Sequence, residues 1–234
     1  MSIRRQPLIT GQMYHIYNRG VDKRDIFADK NDIYRFIESI KEFNREDKIN
    51  SLANLRKSKQ NPQIGVEPLS GESLVEIIGY CFNPNHFHII LKQSVSNGIT
   101  KFMHKLSGGY TSYFNIKNIR SGSLFQGRFK SQLVANDNYF NKLIGYVNKN
   151  YLIHSIPENK NDLVFSGDFE YENSKFNIIS KKEGENILEV FGGVNKFRKH
   201  CDEIVAIIRE ERGRKSLLED EELNVIIESL PDRG

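Results

Sequence analysis

Apolar positions along the chain switch between two periods, and the switches mark its elements. Met13 to Asn18 alternates and is rich in Tyr and Ile, which predicts a strand closed by Asn18-Arg19-Gly20. Ile33, Phe36, Ile37, Ile40 and Phe43 then recur at helical spacing, so a helix capped by Asp29 or Asn31 is expected to run to about Glu46. Residues 47–72 are polar, carry Pro62, Gly65, Pro68 and Gly71, and read as a long, mobile loop. Leu74 to Phe82 is a continuous apolar run, Asn83-Pro84-Asn85 a tight turn, and His86 to Lys92 its antiparallel partner. A second helix is predicted from Gly98 to about Asn115, with Ile99, Phe102, Met103, Leu106 and Tyr110 on one face. Residues 117–127 read as a loop and Arg128 to Ala135 as a fourth strand. A third helix, capped by Asn136 or Asp137, runs to about Tyr151 on a stripe of Phe140, Leu143, Ile144 and Val147. Pro157 to Phe169 is irregular, and residues 185–211 and 216–229 look helical and charged.

This order of strand, helix, strand, strand, helix, strand, helix predicts an α+β fold of the ferredoxin-like or RRM-like kind, an antiparallel sheet with helices on one face. We expect residues 1–180 to form one domain and 181–234 a helical C-terminal extension. The extension carries no recognisable motif and fits a helical pair supporting an interaction or a dimer.

Charge matters here by position. The net is +4, yet residues 181–234 are net acidic, so the basic excess lies in residues 1–180. Between Glu76 and Asp137 there is no acidic residue, while Lys92, Lys101, Lys105, Lys117, Arg120, Arg128 and Lys130 fall in that window. Tyr110, Tyr113, Phe114, Phe125 and Phe129 are interleaved with them. Bases without acidic neighbours attract a polyanion, and aromatics among them stack on unpaired bases. The plainer alternative is a solvated basic face over an aromatic core. Two cysteines, Cys81 and Cys201, make no disulfide framework, and no apolar run approaches the ~20 residues of a membrane span. The expected setting is the cytoplasm, with no membrane partner.

Two sites of chemistry stand out. His86 and His88 are two apart at the head of a strand, so they share one face while Phe87, Ile89 and Leu91 face the core. Paired imidazoles make half a metal site; the alternative is a half-buried strand histidine beside a turn-capping one. Tyr146 and Asn150 are one helical turn apart, with Lys142 and Lys149 nearby. A phenol oxygen can attack phosphorus, and an amide oxygen can ligate a hard cation. On the helix alone, packing at the sheet edge serves as well. The absence of carboxylates between residues 77 and 136 argues for an ion completed by phosphate rather than a tight structural zinc.

Six blocks in order carry a resemblance: residues 14–20 (YHIYNRG), 24–27 (RDIF), 83–88 (NPNHFH), 110–115 (YTSYFN), 125–130 (FQGRFK) and 146–150 (YVNKN). Over roughly residues 8–157 the chain resembles the HUH-type single-tyrosine transposases, in particular the REP-associated tyrosine transposase branch. The resemblance implies that His86, His88 and Asn150 hold a divalent metal, Mg2+ or Mn2+, and that Tyr146 is the nucleophile. It implies cleavage and rejoining of single-stranded DNA next to a hairpin through a 5′-phosphotyrosine, in a bacterial, nucleoid-associated setting. The family usually follows that Asn with Pro, and this chain has Tyr151. Arg128, Lys130, Lys101 and Lys105 are the candidate phosphate contacts, joined by Lys142 and Lys149 beside the tyrosine. The protein is expected to act as a monomer or homodimer on DNA with hairpin or repeat ends. A hairpin-binding protein without turnover, and an unrelated hydrolase using the histidine pair, remain as alternatives.

Overall fold

The computed structural model describes residues 7–47, 52, 56, 72–154, 156–214 and 227. The loop expected over 47–72 and the helix expected over 216–229 lie almost wholly outside the described residues. Five strands form one sheet in the order β4-β1-β3-β2-β5: β1 Met13–Arg19, β2 Val75–Asn83, β3 His86–Gln93, β4 Lys130–Leu133 and β5 Phe165–Ser166. All the pairings are antiparallel. Two helices, α1 (Lys30–Phe43) and α2 (Gly98–Lys117), follow the predicted stripes. Asp29 caps α1 by accepting from the Asp32 amide at 3.0 Å. Phe36 of α1 packs its ring against Phe82, Phe87 and Tyr110, which fixes α1 and α2 on the face of Phe87.

The next helix, α3 (Asp137–Asn148), begins at Asn136, whose side chain accepts from the Tyr139 amide at 2.8 Å. It lies on the other face. Its Tyr146 ring meets His88 and His15, which alternate with the residues facing α1. The α+β class and the antiparallel sheet are as expected, whereas the helices are divided between both faces. The Asn148 side chain ties α3 to the sheet, accepting from the Tyr80 amide at 3.3 Å.

The predicted third helix does not run unbroken to Tyr151. It breaks at Lys149 and resumes as a short α4 (Asn150–Ile153). A fifth strand falls within the stretch expected to be irregular, and α5 (Asp168–Asn173) begins at its end. The long helix expected over 185–211 is two helices, α6 (Lys181–Val190) and α7 (Val194–Arg214). Gly192 and Gly193 separate them at φ +76° and +103°, a conformation that side-chain-bearing residues rarely adopt.

Residues 180–214 pack on the sheet and on α3. Lys92 of β3 pairs with Glu183 at 2.6 Å, and the Ile77 amide donates to Ser180 Oγ at 3.1 Å. Gly145 of α3 lets α7 approach closely, since a Cβ there would stand 3.1–3.3 Å from Ile204 and Cys201. Helix α3 is therefore held between the sheet and α7. Cys81 and Cys201 are free and buried. Among the described residues no helix is long and apolar enough to cross a membrane.

Candidate metal and nucleophile site

The six sequence blocks converge on the β2–β3 turn. The Pro84 carbonyl accepts from the amides of Ile26 and Phe27 at 2.7 and 3.0 Å, and the Asn85 carbonyl from Gly20 at 2.8 Å. Gly20 bridges to Phe125, the Gln126 amide donates to the Arg19 carbonyl at 2.9 Å, and Tyr110 donates to the Ile26 carbonyl at 2.6 Å. Segments far apart in sequence thus clamp the turn that presents His86.

Strand register then builds the site. Tyr17 pairs with His88 on one side and Lys130 on the other, and His88 pairs with Cys81. Directly paired residues share a face, so Lys130, Tyr17 and His88 form one row. Arg19, His86 and Asn83 form the next row. His15, on the same face of β1, meets His88 Nδ1 with its Nε2 at 2.9 Å.

His86 Nδ1 lies 2.6 Å from Asn85 Oδ1, an acceptor only, so that nitrogen carries the proton. Its Nε2 therefore presents a lone pair. The Asn83 amide donates to it at 2.9 Å and to Asn150 Oδ1 at 2.7 Å. His86 Nε2 and Asn150 Oδ1, both acceptors, stand 3.2 Å apart. The break at Lys149 brings Asn150 to this point, because it starts α4 under the turn instead of continuing α3.

His86, His88 and a residue outside the sequence argument, His154, form a cluster in which one ring nitrogen of each lies within 4.8 Å of the others. His154 follows α4, its amide 3.4 Å from the Asn150 carbonyl. Burial and the neighbouring imidazoles hold His88 well below the ordinary histidine range and His154 down to about 2. Neutral imidazole is the form that binds a metal. His88 Nε2 is buried without a hydrogen-bond partner. Leaving such an atom unpaired costs about 1–3 kcal/mol, which ligation would offset. Orphaned nitrogen, facing acceptors and neutral rings together fit a divalent ion.

Tyr146 is fully buried, its ring centroid 5.4 Å from that of His88 and 5.9 Å from that of His15, both edge-on. Of its neighbours in sequence, Tyr151 donates to Asp168 at 3.2 Å, and burial and that carboxylate raise its phenol above the usual range. Tyr139 is buried.

The predicted basic residues separate. Arg128 and Lys130 are exposed at the β1–β4 side, next to the histidine face. Lys101 pairs with Glu46 at 2.7 Å, and Lys105 donates to the Arg45 and Asp47 carbonyls at 2.6 and 3.0 Å. Both stand on the α1 side of the sheet, away from the histidines. Lys142 and Lys149 are 5% exposed, and Lys149 neutralises Asp202 at 2.7 Å and Asp168 at 3.4 Å instead of facing solvent. Tyr110, Phe114 and Phe125, candidates for base stacking, are buried in the core.

Residues 59–150 match the model of the family described as "Transposase IS200 like". That stretch is less than half of the chain. It contains His86, His88, Tyr146 and Asn150, and ends four residues before His154. A solved structure described as "Structure of the REP associates tyrosine transposase bound to a REP hairpin" is 15% identical, with a TM-score of 0.48 over 77% of this chain and 91% of that one. No curated protein matches the chain.

Three contributors carried no assigned role in the sequence argument. His15 sits within a quoted block, and only the register reveals that it backs His88. Asn83 reads in the sequence only as part of a turn. His154 is four residues after Asn150, the same spacing that tied Asn150 to Tyr146, and that spacing was the available signal.

Proposed function

We propose that the chain cleaves and rejoins single-stranded DNA at hairpin-containing sites, with Tyr146 as nucleophile and a divalent ion held by His86, His88 and Asn150. The observation that carries this reading is the packing of the Tyr146 ring on His88, within the IS200-like stretch that also supplies His86 and Asn150.

The Tyr146 phenol oxygen forms a bond to the scissile phosphorus as the bond from phosphorus to the 3′-oxygen breaks. The phenol proton passes to solvent, and the departing 3′-oxygen takes one up. Rejoining runs the other way: a 3′-hydroxyl attacks the phosphotyrosine and tyrosine leaves. One phosphoester replaces another at each step, so no nucleoside triphosphate is consumed. A free phenol has a pKa of about 10, so the phosphate must be activated. The ion, when bound, polarises that phosphate. His15 orients His88, Asn83 holds the Asn150 amide, and Arg19 with Lys130 places positive charge on the site's two strand rows for the DNA backbone.

The full burial of Tyr146 favours a second reading, a hairpin-binding protein without turnover. Incubation with labelled hairpin DNA taken from the gene's own flanks, with Mn2+ or EDTA, separates the two on a denaturing gel. A metal-dependent band retarded by the protein's mass supports the transesterase. Binding with no covalent band supports the second reading, and cleavage with no covalent band points to a water-using nuclease.

A further inference from the structure

The proposed ion site leaves one ring unused. We propose that His154 is a ligand of the same ion, so that three imidazoles and the Asn150 amide select a transition ion such as Co2+ or Zn2+ over Mg2+. This rests on the reading of His86, His88 and Asn150 as ligands, and it adds a residue beyond the stretch that matches the IS200-like family.

The geometry is specific. The His86 and His154 ring centroids are 4.6 Å apart at 66°, closer than the 5.3 Å between His86 and His88. One nitrogen of each of the three rings falls within 4.8 Å of the others; two donors on one ion with bonds of roughly 2.0–2.1 Å stand no more than about 4.2 Å apart, so binding draws the rings slightly inward. His154 caps the short helix that Asn150 begins, its amide 3.4 Å from the Asn150 carbonyl, so the two residues stand at the two ends of one turn. The other two rings come from adjacent positions on one face of β3. Second contacts hold two of the rings: His86 through Asn85, and His88 through His15. Such outer contacts orient ligands and fix which nitrogen is offered.

The donor set decides the ion. Mg2+ demands oxygen ligands in near-ideal octahedral array and keeps its waters. Imidazole nitrogen suits the later first-row ions, with affinity rising from Mn2+ towards Cu2+. No Asp or Glu oxygen belongs to the cluster among the described residues. With His86, His88 and Asn150 alone, a hard ion completed by phosphate would serve. A third imidazole turns the balance towards nitrogen.

The test uses the full-length protein. Co2+ is titrated by its visible absorption and competed with Mg2+, for the native chain, His154→Ala and His88→Ala. Loss of an outer-shell partner alone costs ~10–100-fold in affinity, so loss of His154 should weaken Co2+ by at least about tenfold while leaving Mg2+ affinity unchanged. If His154→Ala binds Co2+ as the native chain does while His88→Ala loses it, His154 is not a ligand and the three-residue site stands. If neither variant changes Co2+ binding, the underlying site is wrong as well. X-ray absorption of the Co2+-loaded native protein needs no variant: three imidazole scatterers support the proposal, and two overturn it.

Discussion

His15 and His88 join neighbouring strands through their rings, His15 Nε2 to His88 Nδ1 at 2.9 Å. His88 Nε2 is the atom left unpartnered in the buried site, and ligation through it requires the ring proton on Nδ1, where His15 Nε2 can accept it. His15 touches no substrate in this account and acts by positioning.

His15→Leu should therefore weaken Mn2+ binding by ~10–100-fold, read as free aqueous Mn2+ by electron paramagnetic resonance. His15→Gln places an amide oxygen near the Nε2 position and should recover most of that affinity. Equal weakening in both variants would mean that His15 only fills space.

Lys149 is a structural cation. Burial pushes the Asp168 carboxyl up, and Lys149 opposes that rise. Lys149→Met leaves Asp168 with the Tyr151 hydroxyl but no cationic partner and should destabilise the fold by about 3 kcal/mol, measured by urea unfolding. Stability within about 0.5 kcal/mol of the native chain would return Lys149 to the list of phosphate contacts.

DNA contacts should track the β1–β4 side. Lys130→Ala is expected to weaken hairpin binding and lower the slope of log affinity against log salt by about 1. Lys101→Ala, on the far side of the sheet and paired with Glu46, should leave the slope unchanged. The reverse pattern would place the DNA across α2.

Helix α7 also bears on the site. Arg209 and Arg212 donate to the carbonyls of Leu152 and Ile153, at the end of the helix that carries Asn150. Replacing both by Met should free that end and lower metal affinity several-fold, with DNA binding kept; the same Mn2+ assay reads it. Unchanged affinity would make the extension a support for α3 alone.

Period-2 and period-3.6 patterns disclosed β1 to β3, α1, α2 and α3, each of which buries a continuous apolar face. The pattern failed where tertiary contacts decide. Strand β5 is two residues long and exists because Phe165 and Ser166 pair with Phe82 and Cys81. The break at Lys149 interrupts no apolar stripe, so nothing local announced it, yet it delivers Asn150 to His86. His86 and His88 were legible because strand alternation alone puts them together. His15 and His154 were not, since each joins the cluster through a register or a helix break that no single segment encodes. The basic window misled in part: Lys92, Lys101 and Lys117 find carboxylates supplied from outside it.

Every role proposed for the site depends on attack of Tyr146 on phosphorus. The most direct test is to digest the covalent complex formed on hairpin DNA with Mn2+ and locate the nucleotide by mass spectrometry. A phosphodeoxynucleotide is expected on the peptide containing Tyr146, with no adduct from Tyr146→Phe although that variant still binds the hairpin. A nucleotide on Tyr139 or Tyr151, or an adduct that survives Tyr146→Phe, would contradict it.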